Sequence, residues 1–286
     1  MSPTTLVSTD ALAEHLNDAT WVIVDCRYDL TKESWGAEQY KAAHIPRAAY
    51  ADLAHDLAGP KDGRNGRHPM PGHDAMIATF GRLGIGSDSQ VVAYDQENGM
   101  YASRLWWMLR YMGHTAVAVL DGGFAKWLRE GRPTAAGVES PTSATFSGKP
   151  LAEMRLTANQ VWARLGDPEM TPVDARSPSR YEGKEEPLDR VAGHIPGARN
   201  HFYQWNLRPD GTFLSPDELR QKFDSMLGGT PPDQVAMYCG SGVTACHNIL
   251  AMEQAGLRGV KLFPGSWSEW SSDPDKPVET GSGQPR

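Results

Sequence analysis

The chain has 286 residues, 40% of them hydrophobic and 22% charged, which is long for one core and comfortable for two domains of about 130 residues each. Its 28 Lys and Arg against 35 Asp and Glu give a formal charge of −7, which argues against nucleic acid or an anionic membrane as partner while leaving room for a local basic pocket. Three cysteines, Cys26, Cys239 and Cys246, imply no disulfide framework, and with neither a signal-type leader nor an apolar run of membrane length the expected compartment is the cytoplasm.

In chain order, short apolar runs alternate with helical patterns. A strand is expected at 21–25, helices at 34–42 and 73–83, a strand at 91–94, a helix at 102–111, a strand at 117–120 and a helix at 124–130. Alternation of this kind predicts an α/β fold with parallel sheets flanked by helices, whose ligands lie at the carboxyl ends of the strands. Residues 132–150 are rich in Pro, Ser, Thr and Gly and poor in large apolar side chains, so they read as an extended linker. The expected organisation is a domain at 1–133, a linker at 134–152 and a second domain at 153–286, with the polar stretch 271–286 packing loosely or fraying.

The second half repeats the first. Val24-Asp-Cys-Arg27 returns as Val173-Asp-Ala-Arg176, and His44-Ile-Pro-Arg-Ala48 as His194-Ile-Pro-Gly-Ala198. Val92-Ala-Tyr-Asp95 returns as Ala236-Met-Tyr-Cys239, and the turn before Trp127 returns before Trp270. Such spacing points to duplication. What both halves share builds the fold, so His44 and His194 are expected to be structural; what only one half carries is a candidate for chemistry.

By that test Cys239 stands out, because the first half has Asp95 in its place. Val235–Tyr238 reads as a buried strand, 239–244 as a tight loop, and a helix follows from Ala245. A helix start offers unpaired N–H groups and the positive end of a dipole, and Gly240 and Gly242 permit unusual dihedrals that aim several amides into one concavity. A cysteine so placed is favoured as thiolate and hence as nucleophile.

The segment Cys239-Gly-Ser-Gly-Val-Thr-Ala245 resembles the active-site loop of the rhodanese superfamily, in the form found in its 3-mercaptopyruvate sulfurtransferase branch. The resemblance implies two tandem rhodanese-like domains, the first catalytically silent, and a sulfurtransferase that carries sulfane sulfur as a Cys239 persulfide. It implies a small anionic sulfur donor, a thiol acceptor such as thioredoxin or glutathione, or cyanide, and no cofactor. Gly240, Gly242, Val243 and Thr244 then line the donor site. Arg180 and Arg190, in a stretch whose first-half counterpart has lysines but no arginine, match by position the two arginines that hold the donor carboxylate and carbonyl. A guanidinium fork suits that task, so Arg190→Ala is expected to raise KM or cut kcat/KM by about one to two decades. Ser241 and Gly240 are neutral where thiosulfate-preferring members carry basic residues, which favours mercaptopyruvate over thiosulfate. Ser241, with His68 and Asp52, resembles a proposed Ser-His-Asp proton relay.

Other signals are weaker. Gly81-Arg-Leu-Gly-Ile-Gly86 has the wrong spacing for a dinucleotide loop. Cys246 and His247 lie on the helix beyond the loop, so no metal is expected, and Cys246 reads as a small buried hydrophobe. At least one of Trp106 and Trp107 should be core, and Trp267 is a candidate wall of the pocket. A phosphatase of the same fold would close its loop with arginine six places after the nucleophile, where this chain has Ala245. A non-catalytic persulfide carrier or sensor would keep Cys239 and have no use for paired arginines.

Overall fold

The computed structural model describes residues 2–282. The chain forms two compact units. One is built from residues up to Gly59, from Pro71–Leu151 and from Arg208–Phe213, the other from Pro60–Met70, Ala152–Leu207 and Leu214 onward. Two short segments thus leave chain order, and one of them, Pro60–Met70, brings part of the first half into the second unit.

In the first unit, β1 (Leu6–Val7), β2 (Trp21–Asp25), β3 (Ala49–Tyr50), β4 (Gln90–Tyr94) and β5 (Val117–Leu120) form a wholly parallel sheet in the order β1-β5-β4-β2-β3. It is accompanied by α1 (Thr9–Glu14), α2 (Trp35–Ala42), α3 (His73–Arg82), α4 (Ala102–Tyr111) and α5 (Gly123–Arg129). Every residue of β4 and β5 is buried, as an apolar run covered on both faces must be. Helix α4 is buried from Ala102 to Leu109, with Trp106 and Trp107 both at 0% exposure; each such side chain is worth about 1.5–3 kcal/mol of apolar burial.

The second unit repeats the plan with β6 (Thr171–Asp174), β7 (Arg199–Asn200), β8 (Val235–Tyr238) and β9 (Lys261–Leu262), parallel in the order β7-β6-β8-β9. Its helices are α6 (Ala158–Ala163), α7 (Pro178–Tyr181), α8 (Pro216–Leu227), α9 (Thr244–Gln254) and α10 (Ser266–Trp270). Local chemistry sets their ends. Thr157 with Gln160, and Ser215 with Glu218, make capping boxes at α6 and α8, and α8 stops at left-handed Gly228. Helix α9 starts at Thr244, one residue before the expected Ala245, and is buried from Ala245 to Met252.

The repeated sequence motifs make the same bonds twice. Arg27 grips Asp25 and the Ala43 carbonyl, and Arg176 grips Asp174 and the Gly193 carbonyl. The Nδ1 of His44 meets the Tyr40 carbonyl at 2.7 Å, and that of His194 meets the Tyr181 carbonyl at 2.7 Å; both rings are fully buried. Tyr94 and Tyr238 accept the backbone N–H of Ile45 and Ile195, each at 3.2 Å.

The tail corrects one expectation. Residues 271–282 do not fray: Glu279 and His194 exchange backbone hydrogen bonds of 2.8 and 3.0 Å, and the Trp270 indole donates to the Pro277 carbonyl at 2.9 Å. The first unit does the same after α5, where Ala135 pairs with His44 and the Trp127 indole reaches Pro133 at 2.8 Å. Each repeat therefore runs past its last helix, held by backbone and indole bonds that carry no apolar signature. Residues 283–286, the end of that expectation, lie outside the described residues. The 134–151 stretch has little regular structure yet is packed in the first unit, with Phe146 4% exposed against Phe80 and Ala144 bonded to Gly81 at 2.9 Å.

Candidate active site

Cys239 follows β8 directly, is 2% exposed, and is tied at both backbone ends to the start of α10. Its N–H donates to Ser266 Oγ at 3.1 Å, its carbonyl accepts from Trp267 N at 2.9 Å, and the Gly240 carbonyl accepts from Ser268 N at 2.9 Å. The loop then folds over the sulfur: Gly242 N–H points at Cys239 Sγ from 3.1 Å. Among the described residues the N–H groups of Val243, Thr244 and Ala245 at the head of α9 donate to no protein acceptor, as the first turn of a helix leaves them. The Cys239 sulfur therefore sits beside a set of unpaired amide donors.

The two glycines earn their places differently from the expectation that both supply unusual dihedrals. Gly242 does, at φ 76°, and a Cβ there would lie 2.2 Å from the Pro264 carbonyl oxygen. Gly240 is not left-handed. A Cβ on it would lie 2.8 Å from Arg67 Nη2 and 3.5 Å from both terminal nitrogens of Arg180, so two guanidinium groups lie over this position.

Ser241 and His68 meet, Oγ to Nδ1 at 2.8 Å, both buried. His68 arrives on the Pro60–Met70 segment, whose Arg67 N–H donates to Ser268 Oγ at 3.0 Å. Asp52 belongs to the first unit, where its carboxylate takes the N–H groups of Ala54 and His55 at 2.8 and 3.1 Å and the Tyr50 hydroxyl at 3.3 Å, a turn-capping arrangement.

Arg180, at the end of α7, is fixed by Glu186 through Nε at 3.2 Å and Nη2 at 2.6 Å, and by Asp189 at 3.3 Å. Asp189 also takes Arg67, and Glu186 takes Arg176 at 3.0 Å. Burial pushes the Asp189 carboxyl up, with Arg67 and then Arg180 pulling the other way. Arg190 is exposed and makes no hydrogen bond or ion pair among the described residues; with Arg67 and Ser268 it lines a shallow cleft. Arg67, Glu186, Asp189 and Ser266 were not read from the sequence. Ser266 was within reach, since the aligned first-half turn has Gly123 in its place; Arg67 lies far away in sequence and carried no local signal.

Trp267 is fully buried, so it is a floor beneath the loop and not a wall facing the pocket; its ring lies 4.8 Å under the Arg176 guanidinium. Cys246 is fully buried, its thiol donating to the Gly242 carbonyl at 3.2 Å. Cys26, at the end of β2, is buried too, and desolvation with neighbouring Asp25 pushes its thiol well up. No group of three His, Cys, Asp or Glu suited to a metal ion occurs among the described residues, and none of their helices is long and apolar enough to cross a membrane.

The rhodanese-like domain family matches residues 8–130 and 157–273. The chain belongs to that family. Over 283 residues it is 43% identical to a Pseudomonas aeruginosa protein described as a probable 3-mercaptopyruvate sulfurtransferase, covering 98% of this chain and 100% of that one. Human 3-mercaptopyruvate sulfurtransferase is 35% identical, with 94% and 89% covered, and bovine thiosulfate sulfurtransferase 34% identical, with 97% and 96% covered. Among solved structures, the 3-mercaptopyruvate sulfurtransferase of Leishmania major superposes with a TM-score of 0.82 at 31% identity, covering 94% of this chain and 74% of that one. The Escherichia coli protein SseA, described among 3-mercaptopyruvate sulfotransferases, gives 0.81 at 31%, covering 93% and 100%.

As a tandem rhodanese-like protein the chain contains its own comparison. In the first domain the carboxylate of Asp95 fills the nest that surrounds Cys239 in the second. It accepts from Glu97 at 3.3 Å, Gly99 at 2.9 Å, Tyr101 at 2.7 Å and Ala102 at 3.1 Å, and Gly99 at φ 80° repeats the turn of Gly242. Burial pushes the Asp95 carboxyl up, and the four amides pull it back. This loop geometry houses an anion.

Proposed function

We propose that the chain is a sulfurtransferase that moves sulfane sulfur from 3-mercaptopyruvate through a Cys239 persulfide to a thiol, thioredoxin or glutathione among the candidates, or to cyanide, in a reducing cytoplasmic setting. The observation that carries this reading is the placement of Cys239 Sγ beneath the Gly242 amide, beside a Ser241–His68 pair that can exchange a proton.

In the first half-reaction the Cys239 sulfur attacks the donor's thiol sulfur. A sulfur–sulfur bond forms, the donor's carbon–sulfur bond breaks, and the electron pair leaves on carbon as the enolate of pyruvate. Ser241, backed by His68, delivers the proton that completes pyruvate. The outer sulfur of the persulfide takes the amides of Gly242, Val243, Thr244 and Ala245, the electrostatic contribution expected to be largest in such a site. Arg180 holds the donor carboxylate, with Arg190 as an exposed guanidinium at the rim. In the second half-reaction an acceptor thiolate or cyanide attacks the outer sulfur and releases Cys239, so the kinetics are ping-pong. The first domain, with Asp95 in the nest, takes no sulfur.

A second reading, thiosulfate as donor, gains support from the two guanidinium groups over Gly240, which supply positive charge that the loop residues lack. Steady-state transfer with both donors decides between them. Intact mass after donor alone should rise by one sulfur atom, and not in Cys239→Ser. A gain that persists in that variant would falsify the assignment of the nucleophile.

A further inference from the structure

We infer that Ser268, on α10, is a positioning residue for the proton step: its hydroxyl pins the backbone next to His68 and so holds that imidazole against Ser241. The inference rests on the sulfurtransferase reading and adds to it a residue that acts through another.

His68 lies on a stretch with neither helix nor strand, so no regular ladder of backbone bonds fixes its place. The start of that stretch organises itself. Asp62 accepts the N–H groups of Arg64 at 2.8 Å and Asn65 at 2.9 Å, and the Asn65 side chain takes the Asp62 N–H and reaches the Pro60 carbonyl, both at 3.0 Å. Two serines, one in α10 and one just beyond it, then hold the rest. Ser272 Oγ donates to the Arg64 carbonyl at 3.1 Å, a hydrogen shared with the Glu269 carbonyl at 2.8 Å. Ser268 Oγ accepts the Arg67 N–H at 3.0 Å and donates to the Gly265 carbonyl at 3.2 Å. Between these ties Gly66 is pressed onto the start of α10 at φ 88°, where a Cβ would lie 2.9 Å from the Gly265 carbonyl oxygen. One residue past Arg67 the imidazole is buried, its Nδ1 2.8 Å from Ser241 Oγ.

Ser268 is tied to the Cys239 loop as well. Its N–H donates to the Gly240 carbonyl at 2.9 Å, so one residue bonds the backbone on both sides of the proton-exchanging pair: Gly240, next to Ser241, and Arg67, next to His68. The first domain separates what the fold requires from what is added. At the aligned position Ala125 donates its N–H to the Gln96 carbonyl at 2.9 Å, the same backbone bond, but has no hydroxyl to make the other. The Ser268 hydroxyl therefore belongs to the domain that holds Cys239 and is missing from the one that holds Asp95. Fixing the backbone beside His68 keeps the imidazole within hydrogen-bond reach of the group it must supply with a proton.

The test follows each half-reaction in single turnover at saturating donor, using the whole chain as wild type, Ser268→Ala, His68→Asn and the variant with both changes, with a thermal melt of each. Ser268→Ala should slow pyruvate formation from 3-mercaptopyruvate about three- to tenfold. Discharge of the loaded persulfide to cyanide moves no proton through Ser241, so it should stay within about twofold of wild type. In the His68→Asn background, Ser268→Ala should cost less than about twofold more, because the imidazole it positions is gone. An unchanged rate of pyruvate formation in Ser268→Ala, an equal slowing of both half-reactions, or full additivity with His68→Asn overturns the inference. A wild type that gains no sulfur at Cys239 from 3-mercaptopyruvate is a separate result, seen before any variant is made, and it overturns the sulfurtransferase reading itself.

Discussion

Ser266 sits at φ 55°, a left-handed conformation that costs a residue with a Cβ about 1–2 kcal/mol. The first domain holds the same turn with Gly123, also at φ 55°. What the serine adds is its hydroxyl, which accepts the Cys239 N–H at 3.1 Å and donates to the Phe263 carbonyl at 3.0 Å. Strain is thus kept where it fixes Cys239, and relieved at the same turn of the first domain. Ser266→Gly should leave stability within about 1 kcal/mol of wild type, strain relief offsetting a lost hydrogen bond, while kcat/KM falls several-fold because Cys239 is less firmly aimed. Calorimetry beside steady-state kinetics checks this; unchanged kcat/KM would remove Ser266 from the positioning machinery. At this scale the sequence spoke clearly where chemistry is local. Cys239 and Ser241 were legible in one loop, and the need for glycine at 242 with it. What lies over Gly240 was not, because its neighbours Arg67 and Arg180 come from elsewhere in the chain.

Helix α9 is buried nearly all round, so its polar residues must be satisfied inside the second unit. Asn206, from a single 3-10 turn at Tyr203–Asn206, meets His201 at 2.8 Å, His247 at 3.3 Å and Asn248 at 2.8 Å, and Asn248 returns a bond of 2.7 Å to the His201 carbonyl. All four residues are buried. Desolvation pushes His201 down to about 4 from an ordinary 6.5. Above 6.5 the ring is neutral in both folded and unfolded chains and contributes no pH dependence. Between 6.5 and 4 the unfolded chain binds a proton that the folded one refuses, so this group makes stability fall as pH falls, by about 3 kcal/mol over the window. Buried Asp95 and Asp189, whose carboxyls are pushed up, act in the opposite sense. The measurement is therefore a difference: urea unfolding of wild type and His201→Gln at pH 6.8 and 4.5, with the variant losing less stability on acidification. An equal loss in both would place His201 outside the pH response. Strands and helices were largely legible from hydrophobic period, to within a residue at Gln90, Trp35 and Thr244. The 271–282 stretch was not, because backbone exchange with His194 holds it and leaves no mark in composition.

Duplication followed by divergence is the plan of the whole molecule, and it makes the division of labour testable. Both loops build an anion nest at the end of a central strand, one filled by its own Asp95 carboxylate, the other open around Cys239. Filling the nest from within stabilises the first domain. Asp95→Asn keeps the volume and one acceptor oxygen but turns amide hydrogens toward two of the four amide donors, and it should cost about 1.5–3 kcal/mol in unfolding free energy. Converting the residue to a nucleophile should not create an enzyme. The first domain's counterpart of the Arg180 stretch offers Lys32, which is taken by Glu38 at the surface, and its loop has Gln96, Glu97 and Asn98 where the second has Gly240 and Ser241. A chain carrying Cys239→Ser with Asp95→Cys should therefore fold, as judged by its melt, and gain no sulfur from 3-mercaptopyruvate in an intact-mass assay. If that double variant takes up sulfur and releases pyruvate, the nest alone suffices for chemistry. The guanidinium pair and the Ser241–His68 pair would then serve affinity only, and the silence of the first domain would rest on a single residue.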